Sequence, residues 1–269
     1  MDRRPPPAAP PWPCLRAEAS SDMHWRQLLQ AATLFREQEP RAYLRYYDQY
    51  IKSRSAQKWE SPDTLDIQEA QLLIDFINQW ATRTPMKPGD LLRGYRMAFL
   101  VLQRLKGLRF ETVNLSGLVG ADGETVASAI AKAFGAIATC GRRNESTGAS
   151  KILHTLQPDL FVMWDMRIAG GYGLCKDATQ QRPNGHEYAH VFLPRLKYEA
   201  DEAIATYLAE SPVATEDPAA QITSLAGAAT FPKLLDEYNY VKYTLGASLL
   251  WRRTVGQEVE AKSRGNARR

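Results

Sequence analysis

Two stretches of this 269-residue chain carry residue types that can do chemistry at a useful spacing. The first is Gly141 to Gly173, GRRNESTGASKILHTLQPDLFVMWDMRIAGGYG. It opens with a helix stop at Gly141 and the basic pair Arg142-Arg143. A polar loop follows from Asn144 to Thr147, and a helix starts near Gly148-Ala149-Ser150-Lys151 with Ser146 or Thr147 able to cap it. First-turn N–H groups of such a helix lack internal partners and suit an anion such as a phosphate. Pro158 breaks the helix, Phe161 to Trp164 make an apolar shelf, and Asp165 follows directly. Partial burial disfavours an ionised acid there, whereas a nearby Lys or Arg favours it. Asp165 therefore reads as the N-cap of a helix starting at Met166, as a carboxylate shown to a reacting centre, or as both. Lys151 reads as a surface or phosphate-contacting lysine, His154 as a packed core histidine or a substrate contact, and Arg142 and Arg143 as solvated charges.

The second stretch is His186-Glu187-Tyr188-Ala189-His190, an HExxH pattern in a chain with four histidines. Histidines four apart share one helix face and can hold a zinc ion while the glutamate activates water; Glu199 or Glu202 is the candidate third ligand. Against this, Pro183 and Gly185 put His186 at the very start of the helix, where it is loosely held. Pro194 removes the N–H that would bond the His190 carbonyl and bends the helix there.

The elements that must position these residues are helical. Apolar residues recur at i, i+3 and i+4 through Trp25–Phe35, Leu44–Ile51, Ile67–Ala81, Leu92–Leu102 and Val126–Ala138, then over 148–157, 186–209 and 231–246. Alternation of the kind strands need is absent over any useful length, so the expected class is all-α. Asp236 to Tyr240, aromatic and acidic, reads as a closing helix with its polar face in water. Six of the sixteen prolines fall in residues 1–22, which points to a disordered tail; a folded body spans 23–254 and a flexible basic tail 255–269. The net charge of +4 comes from the end of the chain, where residues 252–269 hold six basic and two acidic side chains. A nucleic-acid partner then needs a local basic surface. Three scattered cysteines without a CxxC pair indicate a reducing compartment. No apolar run nears the ~20 residues of a membrane helix, the longest being Met97 to Leu102, and the N-terminus lacks the apolar core of a signal peptide. The expectation is a soluble, cytoplasmic protein.

The first stretch resembles the helix-hairpin-helix DNA glycosylase superfamily: a helix, a short polar hairpin with glycine, a helix carrying Lys, then an apolar run into Asp. Gly148 and Ser150-Lys151 fall where the hairpin glycines and lysine belong, and Asp165-Met166-Arg167-Ile168 is similar to the Asp-x-His-Ile/Val signature. Ser150 replaces the second hairpin glycine, Arg167 replaces the signature histidine, and the Lys-to-Asp spacing is about one helical turn (~3.6 residues) shorter. Pro158, Phe161, Trp164 and Asp165 also resemble a divergent, uncharacterised bacterial group, which by analogy includes phage-defence glycosylases acting on modified bases. The resemblance implies a two-lobed helical body that excises a damaged or modified base from DNA without a cofactor. Asp165 then stabilises the sugar cation and Lys151 is the candidate nucleophile. Trp164 and Tyr172 line the base pocket, with Arg167 and His154 as polar contacts. Arg142, Arg143, Gly148 and Ser150 face the DNA backbone. The competing expectations are a zinc hydrolase built on His186, Glu187 and His190, and a catalytically inert helical module that binds DNA or protein.

Overall fold

A computed structural model describes residues 23–38, 66–78, 86–141, 144–174, 184–211 and 215–246. The stripe at Leu44–Ile51, both tails, and Arg142 and Arg143 lie outside the described residues. Within them the chain is all-α: α1 (Trp25–Gln38), α2 (Ile67–Asn78), α3 (Pro88–Leu105), α4 (Val126–Ala138), α5 (Ser146–Leu156) and α6 (Met166–Gly171) come first. Next, α7 is a continuous helix built of Gly185–Glu187, a π-helical turn over Tyr188–Phe192, and Leu193–Glu210. It is followed by α8 (Pro218–Ala226) and α9 (Phe231–Asn239), which runs on as a π-helical stretch, Tyr240–Gly246. The described residues contain no β-strand, only a single bridge between Leu118 and Thr125. No described helix is long and apolar enough to cross a membrane.

The helix ends follow local chemistry. Thr125 caps α4 by accepting from the Ser128 N–H, and Asp217 caps α8 by accepting from the Ala220 N–H ahead of a left-handed Gly227 at the far end. Thr230 caps α9 through the Lys233 N–H. Helix α5 differs from expectation. It begins at Ser146, and Glu145 occupies the cap position without a side-chain cap bond, so Ser146 and Thr147 are inside the helix.

The most extensive packing among the described helices is between α3 and α4. A Cβ on Gly94 would lie 2.8 Å from the Ala136 carbonyl oxygen and 2.8 Å from the Cys140 Cβ, so the helices meet at backbone distance. The Cys140 thiol donates to the Ile137 carbonyl at 3.0 Å, and burial pushes its pKa up to about 11, leaving it unreactive.

The centre of the fold is an extended segment rather than a helix. Residues Phe161 to Trp164 are buried with no neighbouring strand among the described residues, and side chains bond several of their peptide groups. His154 Nδ1 donates to the Phe161 carbonyl at 2.6 Å, and the Tyr188 hydroxyl donates to the Val162 carbonyl at 2.6 Å. Ser150 Oγ accepts from the Trp164 N–H at 3.2 Å and lies 3.1 Å from the Trp164 carbonyl oxygen. Ser150 and His154, one turn apart on α5, thus hold one edge of the segment. The Trp164 indole N–H donates to the Ser146 carbonyl at 3.2 Å. Its ring packs against Phe134, Tyr188 and Phe192 with centroids 5.8, 5.0 and 5.1 Å away.

Because its partner is a carbonyl, His154 carries a proton on Nδ1. Burial lowers its pKa from 6.5 to about 4. Between those values the unfolded chain binds a proton that the fold does not, so stability is full above pH 6.5 and falls as pH drops towards 4. The slope contributed by this one group approaches about 1.4 kcal/mol per pH unit. Urea unfolding at pH 7, 5.5 and 4.5 should show that slope, and His154→Gln should remove it; an unchanged slope in the variant would refute the assignment.

Candidate active site at the exit of the buried segment

Asp165 is the first residue after the buried segment and is only partly exposed. Its extended backbone makes it the N-cap of α6, and Oδ1 accepts from both the Arg167 and Ile168 N–H groups at 2.8 Å. Oδ2 makes no hydrogen bond among the described residues. One oxygen is therefore spent on fixing the carboxylate and the other is open to a ligand. On the facing helix, Lys151 follows Ser150, whose hydroxyl bonds the backbone of Trp164. Lys151 and Asp165 thus each stand one residue from the same hydrogen-bonded junction, both with partial access to solvent. Arg167 is exposed and donates to the Thr244 carbonyl at 3.3 Å, which ties α6 to the end of the described chain.

Several residues expected at the substrate lie in the interior. Trp164 is 1% exposed and belongs to the aromatic core, not to an open pocket wall. His154 is sealed and occupied by the Phe161 carbonyl. Gly148 and Ser150 are buried, and the Ser150 hydroxyl is committed to Trp164, so neither presents itself to a DNA backbone. Tyr172, also buried, places its hydroxyl 2.9 Å from Glu199 Oε2 and 3.1 Å from Asn239 Oδ1. Its pKa is raised far above that of free tyrosine, first by burial and then by the Glu199 charge.

The HExxH stretch is rigid where flexibility was expected. Asn184 Oδ1 accepts from the His186 and Glu187 N–H groups while Glu187 Oε2 accepts from the Asn184 N–H, a complete capping box. Gly185 is pressed onto α4, where a Cβ would fall 2.4 Å from the Ala131 carbonyl oxygen. The bend expected at Pro194 is taken up by the π-helical turn, in which the Leu193 N–H reaches the Tyr188 carbonyl, and α7 continues to Glu210. His186 and His190 are exposed and stack at 4.5 Å. The His190 pKa is lowered, by desolvation first and by His186 second. Glu199 is no third ligand: it faces Tyr172 and, at 3.7 Å, Lys242. Among the described residues no three metal-ligating side chains converge, with Glu202 or otherwise. Among the described residues, then, His186 and His190 come together without a third ligand.

The polar face of α9 is not in water. Every residue from Phe231 to Asn239 is buried. Lys233 Nζ lies 2.8 Å from Asp236 and 3.5 Å from Glu237, with the Phe35 ring 4.5 Å away. The buried cation offsets part of the charge of the two acids one turn on, and burial raises the Glu237 pKa, which lets a charged helix face enter the core. Sequence periodicity gives the helix but cannot show on which side the charges lie. The Lys233/Asp236/Glu237 spacing was the available signal.

No model of a known protein family, no curated protein and no solved structure matches this chain. Function has to be argued from the residues themselves.

The cap and the open oxygen can be separated experimentally. Asp165→Ala removes the cap and should cost about 1 kcal/mol in urea unfolding, whereas Asp165→Asn, which keeps an Oδ1, should stay within a few tenths of wild type. Equal losses in the two variants would show that the charge, not the cap, stabilises the fold.

Proposed function

We propose that the protein is a DNA base-excision enzyme with a two-lobed helix-hairpin-helix-like architecture. Asp165 is the carboxylate that stabilises the sugar cation. The single observation supporting this is the divided use of Asp165: Oδ1 is locked by two backbone N–H groups, while Oδ2 makes no hydrogen bond among the described residues. A carboxylate fixed in this way loses little freedom when charge develops opposite it, which is the condition for electrostatic stabilisation of a transition state.

The chain's own groups divide the reaction as follows. The turn between α4 and α5 approaches the DNA backbone, and the target nucleotide leaves the stack to place its anomeric carbon near Oδ2. The glycosidic bond breaks with its electron pair departing on the base. The positive charge left on the deoxyribose is balanced by Asp165. Water adds to the anomeric carbon and gives its proton to the carboxylate, leaving an abasic site. Arg167 stands at the rim for a phosphate or base contact. His154, Ser150 and Trp164 act as positioning residues, because they fix the segment that delivers Asp165.

Abasic-site formation in duplex DNAs carrying different damaged or modified bases is the direct test. Wild-type protein should release at least one base, and Asp165→Asn should reduce the rate by about 100-fold or more without a loss of folding. Borohydride trapping reports on Lys151: a covalent DNA adduct lost in Lys151→Ala makes it the nucleophile, and excision without an adduct assigns the attack to water. Binding to duplex DNA with no base released from any substrate would overturn the reading and leave a binding module.

A further inference from the structure

Base excision makes no use of His186 and His190. Their imidazole rings lie together on α7 with centroids 4.5 Å apart and planes 29° apart, and both side chains are exposed. Among the described residues no ring nitrogen of either histidine is hydrogen-bonded. Two imidazoles facing water gain little from meeting each other. The approach costs hydration and makes a proton on one ring unwelcome to the other, and the His190 pKa is lowered for both reasons. In the neutral form each ring keeps one nitrogen lone pair, so the pair presents two such donors side by side.

The backbone that carries these rings is fixed from several directions. Asn184 Oδ1 accepts from the His186 and Glu187 N–H groups at 2.9 and 3.1 Å. Gly185, directly before His186, lies against α4 where a Cβ would meet the Ala131 carbonyl oxygen at 2.4 Å. Between the histidines, Tyr188 is 0% exposed, stacks on Phe134 at 4.6 Å and donates to the Val162 carbonyl at 2.6 Å. Ala189, next to His190, is buried as well. The core therefore sets both backbone positions, and only the ring torsions remain to adjust. The π-helical turn over Tyr188–Phe192 contains His190, and such turns recur at functional sites.

Histidines four apart on one helix face form a chelating pair. Two ring nitrogens bound to one ion at about 2.1 Å each stand roughly 3.3 Å apart. Rings centred 4.5 Å apart reach that separation by small rotations of exposed side chains. Imidazole suits zinc, copper and nickel, whereas magnesium and calcium take oxygen ligands. Glu187 lies about 100° round the helix from His186, and its Oε2 is bonded to the Asn184 N–H. The arrangement thus differs in kind from a hydrolytic HExxH centre.

We propose that His186 and His190 form a two-ligand site for a divalent d-block cation of the zinc and nickel class, with water in its other positions. The ion clips the capped first turn of α7 to the π-helical turn, on either side of Tyr188. It thereby braces the residue that holds the Val162 carbonyl. The inference is independent of base excision and stands or falls without it.

Full-length protein titrated with Zn2+ and with Ni2+, followed by calorimetry and by NMR of the histidine Cε1–H signals, tests the site. One equivalent should bind, and two of the four histidine signals should shift or broaden together. Mg2+ and Ca2+ should leave them unmoved. His186→Ala and His190→Ala, both at exposed positions, should each weaken binding by about 10-fold or more, because a chelate owes its affinity to a second ligand already at hand. His24→Ala should bind as wild type does. Zn2+ should raise the urea midpoint of the wild type and not that of the double variant. The NMR comparison needs no variant, so it decides the matter even if one misfolds. No binding of either ion, wild-type affinity in the double variant, or equal movement of the signals by Mg2+ would overturn the proposal.

Discussion

An extended chain crossing a helical interior must find side-chain partners for its peptide groups, because no adjacent strand supplies them. Phe161 to Trp164 meets this demand with a histidine, a tyrosine and a serine drawn from two helices. Each of those three side chains is polar, buried and satisfied, and each fixes one point of the segment. An apolar replacement at any of them would leave a carbonyl unpaired in the core, which costs more than the hydrogen bond itself contributes. Asp165 owes its position to this lacing: the segment emerges from the interior at a fixed angle, and the carboxylate is the first group outside.

Much of the fold was legible in the sequence because helical periodicity is a local property. The stripes from Trp25, Ile67, Leu92 and Val126 all lie in helices, and the Asp165 cap followed from an acid placed just before a helical run. What could not be read depends on contacts between elements distant in sequence. Trp164 looked like a pocket wall because aromatic residues serve both pockets and cores, and only packing against Phe134, Tyr188 and Phe192 distinguishes them. The HExxH pattern had the right spacing, yet Glu187 is engaged in the capping box and Glu199 faces Tyr172. Asn239 gave no signal at all, since its partner Tyr172 lies 67 residues earlier.

Charge in the interior is managed in two ways. In α9 the Lys233 ammonium answers Asp236 and Glu237 within one turn of the same helix. Around Tyr172 the charged and polar groups come from separate elements, Glu199 from α7, Asn239 from α9 and Lys242 from the π-helical stretch. The first kind fixes the face that one helix turns to the core; the second fixes how several elements meet.

The contact of Gly185 with the Ala131 carbonyl has a mechanical consequence. With no side chain between them, the beginning of α7 and the middle of α4 touch main chain to main chain, like two beams bolted without a spacer. A push delivered to α4 is then handed to the start of α7 without slack, and along α7 towards Glu199.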